Sequence, residues 1–312
     1  MIDRLLERID ALDNPTVVGL DPTWEMLPRG LREEQLAAWG KTPEAAARGF
    51  LAYNKIIIDS VADLVPAVKP QIAMYEKYGL EGLRAYVETV AYAKEKGLLV
   101  IGDIKRGDVA STAAAYAAHI GGVEIEGAFF DPWQEDAVTL NPYLGRDGIE
   151  PFLRPCREKD KGLFILVRTS NPGSGELQDL LLADREEEAS GEPEPVYCRV
   201  GRLVSSWGLE AMGSRGYSRI GAVVGATHRE QGERLRAMMP HTFFLVPGYG
   251  AQGASGRDLK GFFDREGRGC IVNSSRGITA AYQKDPRFGQ DGGAAAREAV
   301  LAMRADLKEA RR

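Results

Sequence analysis

The sequence predicts an α/β chain of the (β/α)8-barrel class, a TIM barrel. Three observations carry that expectation: eight short apolar runs recur along the 312 residues, helix-like stretches separate most of them, and polar or turn-forming residues follow nearly every run at the same end.

The runs are 16–20, 64–68, 98–101, 137–140, 163–167, 220–224, 243–246 and 270–272. Each is continuously apolar rather than alternating, as befits strands covered on both faces. The stretches 80–97 and 111–122 have helical spacing and end on glycines, Gly97 and Gly121, as helices often do. Ile2, Leu5, Leu6, Ile9 and Leu12 mark a further amphipathic helix at the start, and 294–312 one at the end, its basic last turn complementing the helix dipole. The residues that close the runs are Asp21, Lys69, Asp103, Asn141, Arg168, Thr227, Pro247 and Asn273. In a closed barrel they ring one site, whereas in an open doubly wound sheet they would spread along an edge. Residues 1–312 therefore read as a single barrel domain with one insertion, about 174–215, after the fifth strand. Its acidic, Pro/Gly-punctuated centre reads as a solvated surface excursion with partial helix.

Composition narrows the function. With 45 acidic against 40 basic residues the net charge is -5, which argues against a general nucleic-acid surface. The N-terminal helix is interrupted by charges, and no apolar run approaches the ~20 residues of a membrane span. Cys156, Cys198 and Cys270 are odd in number and without a CxxC, so they read as reduced thiols of a cytoplasmic protein, not as a disulfide framework or zinc site. His119, His228 and His241 are scattered; His119 reads as a packing or surface residue on a helix. The four tryptophans read as packing residues, with Trp24 close enough to Asp21 to line a barrel mouth. No HExxH, GKS or GxSxG pattern is present, and no metal or cofactor is expected.

The strongest chemical signal is GDIKRGDVAST, residues 102–112. In an extended strand Asp103 and Lys105 share a face, and Asp108 follows on the loop beyond Gly107. Carboxylates beside a lysine hold it protonated, which makes it a proton donor rather than a nucleophile. The same residues are equally compatible with a barrel-mouth salt-bridge network without catalysis. Two Gly-rich segments, VPGYGAQGASG (246–256) and NSSRGI (273–278), follow the seventh and eighth runs, where barrels frequently bind phosphate. Gly248, Gly250 and Gly253 permit close backbone approach, Gln252 offers an amide, and Arg276, followed by Gly277, a planar fork for two phosphate oxygens. A closing lid is expected near 246–256.

Taken in order, these segments resemble the orotidine 5'-phosphate decarboxylase family over most of the chain, in particular its larger bacterial subgroup. GLDP (19–22) is similar to the first-strand segment, VKPQIAMYEKYG (68–79) to the second, DIKRGD (103–108) to the family's Asp-x-Lys-x-x-Asp signature, and RTSNPGSG (168–175) to the loop that reads the pyrimidine. The resemblance implies that Lys105 is the proton donor, that Lys69, Asp103 and Asp108 are its charge partners, and that Asp21 contacts the ribose. Thr112 opens the following helix, Ser170 reads the pyrimidine, and Gln252, Gly253, Arg276 and Gly277 hold the phosphate. It further implies a cytoplasmic homodimer in which Asp108 completes the neighbour's site, with orotidine 5'-phosphate as the small-molecule substrate and no nucleic-acid or membrane partner. Two segments depart from the compact family form: IVNSSRGI is longer around Arg276, and 174–215 is a large insertion. Two alternatives share the scaffold. A metal-dependent sugar-phosphate decarboxylase or aldolase would lose activity to a chelator, and a silent phosphoribosyl-ligand sensor would show no turnover.

Overall fold

The computed structural model describes residues 1–182, 193–250 and 253–312. Eight parallel strands close into a barrel: β1 Thr16–Leu20, β2 Ala67–Pro70, β3 Leu99–Arg106, β4 Ala137–Leu140, β5 Gly162–Arg168, β6 Ile220–Val224, β7 Phe244–Val246 and β8 Cys270–Ser274. Each strand pairs with its neighbours in sequence, and β8 closes on β1 with Thr16 opposite Val272. Helices connect the strands, as parallel pairing requires, since a tight turn cannot return the chain to the same end.

One run is displaced. The expected strand 64–68 is Ala67–Pro70 instead, because the amides of Leu64 and Val65 bond back to Val61 O and continue the turn that ends the helix Pro43–Val61. Leu64 and Val65 are buried loop residues, and Lys69 lies inside the strand.

The continuous apolar runs reflect two separate cores. Val18, Val68, Val100, Val138 and Ile165 face the surrounding helices, whereas Val17, Ala67, Leu99, Ala137 and Phe164 fill the barrel interior. The helix Ile2–Leu12 does not lie with the outer ring. It inserts Ile2, Leu5, Leu6 and Ile9 into the lower interior layer and closes that end of the barrel. Each such side chain contributes about 1.5–3 kcal/mol on burial. With the lower end plugged, the polar ends of the strands form the open face.

The excursion after β5 is smaller than 174–215. Helix Val196–Gly208 buries Tyr197, Cys198, Gly201, Val204 and Trp207 and packs on β5 and β6, so it belongs to the outer ring. Acidic residues just before it mask this amphipathic stretch in the sequence. Among the described residues, what extends beyond the barrel includes a short helix, Gly175–Gln178, and the antiparallel pair Leu181–Leu182 with Glu194–Pro195. Residues 183–192 of the acidic segment lie outside the described residues. The stretch 111–122 divides into helices Ala110–Tyr116 and Ala118–Gly121, followed by a small hairpin, Val123–Ile125 with Ala128–Phe130. No helix among the described residues is long and apolar enough to cross a membrane.

Candidate active site

The site begins with an irregularity in β3. Ile101 and Gly102 pair with Ala137 and Val138 of β4, but the next pair is Arg106 with Leu140, so four steps along β3 match two along β4. The extra backbone bulges, and Lys105 takes the left-handed conformation at φ 47°, which a non-glycine residue adopts only at a cost. Thr139 of β4 fills the gap left in the ladder. Its hydroxyl accepts the Lys105 N–H at 3.0 Å and donates to Asp103 Oδ1 at 2.8 Å.

Asp103 is the centre of the array. Its Oδ1 also receives Lys105 Nζ at 2.5 Å, while Oδ2 receives Lys69 Nζ at 2.7 Å and Gln71 Nε2 at 2.9 Å. Burial alone would push this carboxyl up, but the two ammonium groups and their hydrogen bonds outweigh it and hold it well below the ordinary carboxylate range. The same pairing works in reverse on Lys69. Burial would lower its ammonium, yet Asp103 and then Asp21, 3.7 Å away, raise it above its usual value. Lys69 is buried, whereas the Lys105 side chain is 44% exposed, so one lysine is locked and the other reaches open space. Two ammonium groups and two carboxylates, Asp21 and Asp103, balance in charge.

Above this array is a cavity of about 570 Å³ whose lining includes Asp21, Lys69, Asp103, Gly248, Asn273, Ser275 and Arg276. Asp21 Oδ1 and Asn273 Oδ1 are buried without a hydrogen-bond partner among the described residues. Asn273 Oδ1 is orphaned and Asp21 Oδ1 has only the Lys69 ammonium at 3.7 Å, and acceptors so placed in a polar cavity are what a ligand's hydroxyl groups would satisfy. Arg276 begins the four-residue helix Arg276–Thr279 at the cavity rim, exposed, and no carboxylate among the described residues lies within ion-pair distance of it.

Gly248, Gly250 and Gly253 all have positive φ, 105°, 71° and 97°. Their loop satisfies part of its own backbone: the Gly250 N–H donates to Ala254 O and the Gly253 N–H to Gly250 O. Gln252 lies outside the described residues.

The remaining expected residues are more peripheral. Asp108 does not meet Lys105. Its carboxylate accepts the Val109 N–H at 2.8 Å, and no cation among the described residues of its own chain is within ion-pair distance. Thr112 is exposed on the first turn of Ala110–Tyr116, and Ser170, half-buried beyond β5, packs against Gly225; neither lines the cavity. Trp24 does not line the mouth either. It packs toward Gly49 of the helix Pro43–Val61, and its neighbours Thr23, Glu25 and Met26 line the cavity in its place. His119 is a buried packing residue, stacked on Trp133 and bonded to Glu135.

Gln71 and Thr139 are contacts that the motif reading misses. Each carries a signal in retrospect: Gln71 repeats the period of two from Lys69, and Thr139 is the single polar residue in the buried run AVTL. A second depression, about 810 Å³, lies against the helices Ala110–Tyr116 and Glu150–Glu158, which follow β3 and β4. Its arginines are already paired, Arg146 and Arg157 with Glu210 and Arg154 with Glu158.

Comparison with known proteins places the chain in a family. A sequence model of the orotidine 5'-phosphate decarboxylase / HUMPS family matches residues 15–287. The chain is 44% identical to the orotidine 5'-phosphate decarboxylase of Rhodopirellula baltica, over 86% of this chain and 85% of that one. It is 42% identical to that of Clostridium kluyveri, over 98% and 97% of the two chains. Among solved structures, Leishmania donovani OMP decarboxylase superposes with a TM-score of 0.69 at 30% identity, covering 97% of this chain and 98% of that one.

Proposed function

The chain belongs to the orotidine 5'-phosphate decarboxylase / HUMPS family, and we infer from that premise that it converts orotidine 5'-phosphate to uridine 5'-phosphate in pyrimidine biosynthesis. The observation that carries the reading is the single Asp103 carboxylate held between the locked ammonium of Lys69 and the open one of Lys105. The sugar-phosphate alternative has no support among the named relatives at 40–44% identity.

Loss of carbon dioxide leaves the bonding electron pair on C6 of the pyrimidine. A unit charge about 4 Å from Lys105 at an effective dielectric near 20 is stabilised by about 4 kcal/mol, or roughly three decades in rate. Lys105 then gives a proton to C6 and becomes a neutral amine, which solvent reprotonates because this side chain is open. Asp103 and Lys69 act differently: they stay ionised and fix where the Lys105 ammonium stands. Asp21 accepts a ribose hydroxyl. Arg276, with Gln252 and the backbone at Gly253 and Gly277, receives the phosphate, whose binding energy holds the reacting end in place. Ser170 reads the pyrimidine, and Thr112 stands at the start of the helix that follows the signature.

The working unit in this reading is a homodimer. Among the described residues of its own chain Asp108 has no cationic partner, and Val109, Tyr143 and Leu144 nearby in sequence are exposed apolar residues, as at a surface that a second copy covers. Assay of the purified chain with orotidine 5'-phosphate, following release of carbon dioxide and formation of uridine 5'-phosphate, tests the activity. Absence of turnover would refute it.

A further inference from the structure

The loop beyond β5 hangs from one buried guanidinium. Arg168, the last residue of β5, is only 2% exposed and does not line the cavity. Burying such a charge is costly unless its donors are met. Here Nε donates to Gln231 Oε1, Nη1 to Ser174 Oγ at 2.9 Å and to Gln178 Oε1 at 3.0 Å, and Nη2 to Asp179 Oδ2 at 3.1 Å. Ser174, Gln178 and Asp179 all belong to the excursion, and Gln231 belongs to the helix Arg229–Met238.

The network ends on the segment that carries Ser170. Gln178 Oε1 also accepts the Thr169 N–H at 3.0 Å, and Gln178 Nε2 donates to Thr169 Oγ1 at 2.8 Å. The Thr169 hydroxyl in turn donates to Asn171 Oδ1 at 2.7 Å. Ser170 is thus held from the residue on each side. Its own backbone sits where a Cβ on Gly225 would be 2.9 Å from Ser170 N, so only glycine at the end of β6 allows the approach.

We propose that Arg168, acting through Gln178, is a positioning residue that sets Ser170 for the pyrimidine end of the substrate. The inference rests on the decarboxylase reading above. It separates two functions of the mouth: the phosphate end is bound from β7 and β8, and the base end is aimed from the excursion after β5. A guanidinium that served only to hold the fold together would have no reason to distinguish these ends.

Gln178 is half-exposed, so its truncation leaves the barrel core intact. The test compares steady-state turnover of orotidine 5'-phosphate with inhibition by uridine 5'-phosphate and by ribose 5-phosphate, which has no base. Gln178→Ala is expected to raise KM and the uridine 5'-phosphate inhibition constant by about 10- to 100-fold, with ribose 5-phosphate changed by less than about 2-fold. Arg168→Lys should show the same selectivity, because one ammonium cannot span four acceptors. Gln178→Glu keeps the acceptor toward Arg168 and Thr169 N–H and should recover most of the loss. Equal weakening of both inhibitors, or no change in either, overturns the positioning role. No turnover by the unsubstituted chain would instead refute the decarboxylase reading and this inference with it.

Discussion

Lys69 and Lys105 grip opposite oxygens of one carboxylate, Lys69 at 2.7 Å from Oδ2 of Asp103 and Lys105 at 2.5 Å from Oδ1. They come from adjacent strands and differ in freedom, the first buried and the second open. The arrangement gives Lys105 a fixed place while leaving its side chain open. Distinct consequences follow for each member of the array.

Lys105→Ala removes the proton donor. Turnover should fall by at least about 10³-fold, since the charge facing C6 is lost. Binding of uridine 5'-phosphate should stay within a few-fold, because that charge acts mainly in the transition state. Calorimetric titration beside the activity assay checks both, and near-normal turnover would exclude the role.

Arg276→Ala should raise KM for orotidine 5'-phosphate by about 10- to 100-fold, the worth of a charge-assisted hydrogen bond of roughly 1.5–3 kcal/mol. Turnover of orotidine, which lacks the phosphate, should barely change. Equal losses on the two substrates would remove Arg276 from the phosphate site.

The Asp103 carboxyl is pushed up by burial but held down, on balance, by Lys69 and Lys105. A carboxyl lowered in the fold contributes stability that is fully present above its unfolded value of about 3.9 and is lost as the pH falls through the lower folded value. Asp103→Asn should therefore cost about 3 kcal/mol at neutral pH, because buried Lys69 keeps only the more distant Asp21. Denaturant titrations should show this gap narrowing below about pH 4. A gap that stays constant down to pH 3 would contradict the ionised Asp103.

Mixing inactive Lys105→Ala and Asp108→Asn chains tests the shared site. A mixed dimer then holds one site with an intact Lys105 and the neighbour's intact Asp108, so random exchange should restore about a quarter of all sites. Activity that stays at the level of the separate variants after proven exchange would place Asp108 in its own chain's site or in none.

The barrel was legible because its strands are buried on both faces, which leaves runs that few other architectures require. Lys69, Asp103 and Lys105 were legible because strand ends of one barrel converge whatever the loops do. Other features depended on contacts that spacing does not record. Gln71 and Thr139 matter through which strand lies beside which, and Trp24 turned to pack on a helix that is distant in sequence. The plug formed by Ile2–Leu12 had the periodicity of any amphipathic helix, and nothing local reveals which surface such a face will meet. Helix Val196–Gly208 was hidden by the acidic run before it, since composition averaged over a long window outweighed a pattern of 13 residues.

The two surplus residues of β3 have a consequence for anyone who would transplant this chemistry. Asp-x-Lys reads like a cassette that any strand could carry, yet in an unbroken strand Thr139 would be hydrogen-bonding past a regular ladder instead of closing a gap in it. A graft onto another barrel would need the slip in register, a hydroxyl from the next strand to mend it, and a residue willing to stay left-handed at the position of Lys105. What is portable is the bulge together with its patch, and the lysine follows from it.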